Sequence, residues 1–284
     1  MKPQTNHKHH KLTLRILIIT IIVLTILANS ITIFSDVENR QSTSLWILNI
    51  TAAAAVGLGI LAIYRHGPHG IHGRSYLFLT LGLVSWFAAD ATELYYYVVE
   101  GEEQKLVSIS DFLWLAGYGF LSAHLFTVIG SLHSYIRRRA ILLVSGISIL
   151  FVGYNIHLLL PLSEEYISMG EDNDLVAFII TFTYPILDLI LIVPSGIILI
   201  SLRKDFQHFI PWVLASLSLL INAIADDGYV LDFVNGNTHS LWFWNLFYVT
   251  DFIIMAGALF WYNRFHISDE LRKKKKSFNI HPKQ

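Results

Sequence analysis

The stretch INAIADDGYVLDF, residues 221–233, sets Asp226 beside Asp227 within a run that is otherwise apolar or aromatic. Similar acids recur. Asp90, Glu93, Asp111, Asp188, Asp232 and Asp251 also fall inside, or at the mouths of, long apolar runs, which makes eight of the chain's 21 Asp and Glu residues. An Asp near the middle of a membrane helix costs about 2.5 to 3.5 kcal/mol on insertion scales, so such side chains turn inward, find a partner or take up a proton. Two carboxylates in one site resist ionising together, and Asp90 with Glu93 is therefore a candidate for a shared proton.

Helical spacing groups these residues. Trp86, Asp90, Glu93 and Tyr97, at i, i+4, i+7 and i+11, follow one another about one turn apart and form a stripe on the third apolar run. Asn222, Asp226, Tyr229 and Phe233 repeat that stripe on the seventh run. Asp227 lies about 100° further around the helix, which directs it to water or a neighbouring span, and Gly228 offers a place for a local break. Asp251 and Tyr248 are one turn apart, deep in the eighth run. Asp188 is equally deep in TYPILDLILIVP, where Pro185 and Pro194 lack an N–H and leave the carbonyls of Thr181 and Ile190 without their helical donors.

The elements that carry these acids are membrane spans. Only 14% of the 284 residues are charged and 54% are apolar, against about a quarter charged in ordinary soluble domains. Apolar runs of about 20 residues, enough to cross hydrocarbon, occupy 12–34, 43–64, 76–99, 111–133, 140–160, 175–201, 208–232 and 241–262. With a cytoplasmic N-terminus, every Lys and Arg except Arg40 and Lys105 falls on the inner side, and the acidic runs EGEE, SEE and EDND fall outside. The expected fold is an all-α integral membrane bundle with both termini cytoplasmic. The motif SDFLWLAGYGF from Ser110 and TDFIIMAGALF from Thr250 share [ST]-D-F-x3-A-G-x2-F, and the Ala-Asp pairs at Asp90 and Asp226 precede them. The expected organisation is thus a cytoplasmic tail over 1–11, parallel four-helix repeats over 12–133 and 140–262, and a basic cytoplasmic tail over 263–284. The polar and aromatic stripes are expected to meet in an outward-facing pocket formed mainly by the third, fourth, seventh and eighth spans.

Several other chemistries find no support. With no cysteine there is no disulfide, thiolate metal site or cysteine nucleophile. H-E-x-x-H, G-x-S-x-G, a phosphate loop and G-x-G-x-x-G are all missing, and no Lys lies within a span to form a retinal Schiff base. The segment RHGPHGIHGR brings His66, His69 and His72 to three-residue spacing in a cytoplasmic loop, which makes them the candidates for a metal. No cofactor and no nucleic acid partner is expected; the RKKKK run at 272–276 reads as a topology anchor that can also meet anionic membrane lipid.

The segment WFAADATELYYYVVEGEEQKLVSISDFLWLAGYGF, residues 86–120, has the pattern W-x3-D, an aromatic helix end, Gly, then S-x-x-D-x2-W/Y-L-x2-Y. It resembles the multispan input regions of prokaryotic signalling proteins that precede diguanylate cyclase, phosphodiesterase or histidine kinase domains. Asp90, Asp111 and Tyr118 take the matching positions, whereas Ile109-Ser110 stands where the family has Pro-Ser, and no output domain follows. The resemblance implies a stand-alone sensor or ligand-binding protein of the cell membrane, signalling through a separate partner chain by way of the cytoplasmic tail. The competing expectations are a proton- or cation-coupled secondary transporter and, behind it, a membrane enzyme or a structural subunit of a membrane complex.

Overall fold

The computed structural model describes residues 4–101, 108–132, 135–169, 172–202, 209–234 and 241–266, and these are helical almost throughout, with no strand. Eight helices run in order: α1 Gln4–Phe34, α2 Arg40–His66, α3 Gly70–Tyr95, α4 Ile109–Ser131, α5 Arg138–Met169, α6 Asp172–Leu202, α7 Ile210–Val234 and α8 Trp242–Trp261. Each contains a stretch long and apolar enough to cross a membrane. A helix is the open-chain form that satisfies every backbone polar group within lipid, so an apolar run of this length has little alternative.

Six of the helices form a closed circuit, in which α2 packs on α3, α3 on α4, α4 on α6, α6 on α7, α7 on α8 and α8 back on α2. The remaining two lie outside it: α1 rests on α8 and α2, and α5 rests on α6. Burial follows this order. Sixty-one per cent of the apolar window of α8 is buried within the protein, against 11% of that of α1, which leaves most of α1 to lipid.

Local chemistry sets the helix ends. Ser108 and Asp111 begin α4 as a capping box, with the Asp111 carboxylate accepting from the Ser108 N–H at 2.8 Å and from its hydroxyl at 3.0 Å. Gly67, at a φ of 77°, stops α2, and its N–H caps the Ile63 carbonyl at 2.7 Å. The loop expected around the histidines is consequently only 67–69. His66 closes α2 and His72 lies within α3.

Two other expectations are corrected. α7 continues unbroken through Gly228; the missing side chain instead makes room for the Trp244 ring, from which an added Cβ would lie 2.2 Å away. The stripe on α3 holds its register only to Tyr95, because the chain then widens into a π turn over Tyr96–Glu100 and carries Tyr97 off the 3.6-residue period.

Candidate functional site

The centre of the polar cluster is Tyr118 on α4, whose side chain is buried. Its hydroxyl lies 2.6 Å from Asp188 Oδ1 on α6 and is also hydrogen-bonded to Asp226 Oδ2 on α7. On the other side of Asp226, the Tyr248 hydroxyl of α8 donates to Oδ1 at 2.5 Å. Four helices are therefore joined through one chain of oxygen atoms, Asp188–Tyr118–Asp226–Tyr248.

Aromatic packing fixes Tyr118 in place. The Trp86 ring meets it edge-on at 5.4 Å and donates its indole N–H to the Trp114 carbonyl at 3.1 Å. Trp86 comes this close to α4 because residue 117 is glycine, where a Cβ would lie 2.2 Å from the indole. Trp114 in turn donates its own indole N–H to Asp90 Oδ1 at 3.0 Å. Tyr184, one turn before Asp188 on α6, lies 6.2 Å from the Tyr118 ring and donates to Asp111 Oδ1 at 2.9 Å.

Asp251 is fully buried on α8, where it accepts the Ser218 hydroxyl of α7 and has Asn222 beside it. Asp90, Asp188 and Asp251 each lie within Coulombic range of Asp226. Tyr229 is half-buried among Tyr184 and Tyr248. The remaining acids have other surroundings: Glu93 is half-buried close to Asp90, Asp227 turns to Asn155 of α5, and Asp232 accepts the Trp244 indole N–H at 2.8 Å. Tyr97 is half-buried at the end of the cluster, in the widened turn after α3. Phe233's side chain lies outside the described residues.

The sequence points to Asp90 and Glu93 as the proton-sharing pair, yet the two carboxylates that meet on one hydroxyl are Asp188 and Asp226. The sequence also assigns the cluster mainly to the third, fourth, seventh and eighth spans, and α6 enters it with both Asp188 and Tyr184. Trp114, Tyr184 and Ser218 were missed, although helical spacing carries the signal: Tyr184 is four residues from Asp188, Trp114 three from Asp111, and Ser218 four from Asn222.

The histidines divide. His66 meets the Tyr262 ring at 5.9 Å, while His72 stacks on Trp212 of α7 at 5.3 Å. Among the described residues no group of three or more His, Asp or Glu is disposed to hold a metal ion.

The side-chain partners of Asp90, Asp188, Asp226 and Asp251 named above are hydroxyls, indoles and an amide, all neutral. The sequences of α4, α6, α7 and α8 contain no Lys or Arg, and α3 contains only Arg74, sixteen residues before Asp90. Opposite charge for these acids must come from outside their own helices. No protein-family model, no curated protein and no solved structure matches the chain.

Proposed function

We propose that the chain is a stand-alone sensor or ligand-binding protein of the cell membrane, responsive to protons or to a cationic ligand. The observation that carries this reading is the gathering of Asp90, Asp188, Asp226 and Asp251 from four helices around Tyr118 without a Lys or Arg on α4, α6, α7 or α8. Buried carboxylates without a counter-charge are costly, and a proton or a cation that relieves the cost in one helix arrangement more than in another shifts the balance between them. Trp86 and Trp114 flank the acids, and the face of an indole suits an organic cation.

The likeness of residues 86–120 to prokaryotic input regions supports the sensory side, and the distribution of Lys and Arg supports cytoplasmic termini, from which the basic tail would reach a separate signalling partner. Support for two parallel repeats comes from the packing order. Exchanging α1–α4 with α5–α8 maps each principal helix contact onto another, apart from that of α1 with α8.

Transport driven by a proton or cation is the second reading, favoured by Pro185 and Pro194 on either side of Asp188 in α6. One experiment addresses both. Protein reconstituted in liposomes is titrated with acid and with small inorganic and organic cations while tryptophan fluorescence and solute flux are followed. The sensor reading expects a saturable fluorescence change that Asp226→Asn removes, without flux; flux that the same substitution abolishes favours transport. A wild-type protein silent to every cation contradicts both.

A further inference from the structure

A tyrosine hydroxyl has one hydrogen. Tyr118 nevertheless meets two carboxylates, Asp188 and Asp226, at hydrogen-bonding distance. It can donate to one of them only. For the second contact to be a hydrogen bond, that carboxyl must carry a proton and donate it to the tyrosine oxygen. Two bare carboxylates would leave the second facing an oxygen lone pair, deep in the protein.

We propose that Asp188 and Asp226 hold one exchangeable proton between them across the Tyr118 hydroxyl. The site rests on the proton- or cation-responsive reading above and narrows it to a proton at named atoms. Two mirror arrangements satisfy the bridge. In one, the Asp188 carboxyl donates to Tyr118 and Tyr118 donates to the Asp226 carboxylate. In the other, the Asp226 carboxyl donates and Asp188 accepts. Passing between them breaks one O–H bond on an aspartate and one on the tyrosine and forms one on each, so the tyrosine is neutral at both ends and the proton has crossed from α6 to α7.

An independent observation points to the same place. Asp188 is fully buried, its second oxygen accepts from no donor, and its carboxyl lies within hydrogen-bonding reach of that of Asp226. A doubly ionised pair would leave an unsolvated charge there, and protonating the pair removes it. Asp227 on α7, Asp251 on α8 and Asp90 on α3 lie within Coulombic range of the bridge and oppose a second negative charge, while Tyr248 of α8 donates to Asp226 and Tyr184 of α6 lies near it.

The test is infrared difference spectroscopy of the full chain in lipid nanodiscs in neutral buffer. The expected result is the carbonyl band of a protonated carboxylic acid, shifted on exchange into D2O, lost in Asp188→Asn and in Asp226→Asn, shifted in Tyr118→Phe and unchanged in Asp232→Asn. Should Asp226→Asn not fold, Asp188→Asn and the Tyr118→Phe shift decide the matter alone. Absence of an acid band in the wild type, or a band of equal intensity in the Asp188→Asn protein, overturns the bridge. An acid band with no fluorescence response to any cation contradicts the sensor reading and leaves the bridge standing; a response without an acid band does the reverse.

Discussion

At the scale of single residues, the two copies of the [ST]-D-F-x3-A-G-x2-F motif diverge in what their aspartates do. Asp111 is the third residue of α4, where an acid caps free backbone N–H groups and complements the helix dipole. Asp251 is the tenth residue of α8, far from any free N–H, and depends on Ser218 and Asn222 instead. Matching letters therefore conceal a shift of two helical turns, and the chemistry at Asp251 was legible only from its depth. Tyr118 is the opposite case: its spacing places it on the inward face, but nothing in a sequence tells which distant carboxylates its hydroxyl will meet, since Asp188 is 70 positions away and Asp226 is 108. Removing that hydroxyl strips one acid of a donor and the other of an acceptor. Tyr118→Phe should destabilise the protein by about 1 to 3 kcal/mol, read as a lower unfolding temperature in detergent, and its cost should shrink when Asp226→Asn is already present. Equal costs in the two backgrounds would mean that the hydroxyl and the carboxylate do not interact.

At the scale of helices, glycines decide which faces can approach. The side chain of Trp244 on α8 occupies the space over Gly228, as that of Trp86 on α3 occupies the space over Gly117. Gly228→Leu should cost about 1 to 3 kcal/mol through overpacking, whereas Gly119→Ala, with open space around it, should leave the unfolding temperature nearly unchanged. Equal behaviour of the two variants would contradict the tight α7–α8 contact. The sequence offers Gly228 as a breaker because glycine lacks intrinsic helical preference; packing against an indole overrides that preference. α6 raises a different point, for it stays helical through Pro185 and Pro194 while the Ile190 carbonyl loses its usual donor. Pro194→Ala should restore that donor and slow amide exchange along the following turn of α6. Unchanged exchange would mean that the carbonyl has found another partner.

At the scale of the whole molecule, the eight spans were legible because lipid leaves an apolar stretch of this length little freedom: each apolar run from 12–34 to 241–262 has one helix as its body, with ends that differ by a few residues. The circuit of helices was not legible, because its closing contacts, α4 with α6 and α8 with α2, join helices far apart in sequence, and the polar residues on them do not say which partner they meet. That is also why α6, though it carries the expected Asp188, is not among the spans expected to form most of the pocket, although Tyr184 and Asp188 share one of its faces. The absence of native cysteine makes the circuit directly measurable, since introduced thiols have no competitors. Tyr118→Cys is combined in turn with Asp188→Cys and Asp226→Cys, and with Ile186→Cys and Ile224→Cys, which lie on exposed faces of the same two helices. A short bifunctional thiol reagent should link position 118 to 188 and to 226 within one chain, and should leave 186 and 224 unlinked. Efficient linkage to 186 and 224 with none to 188 and 226 would contradict the claim that the acids of α6 and α7 converge on Tyr118.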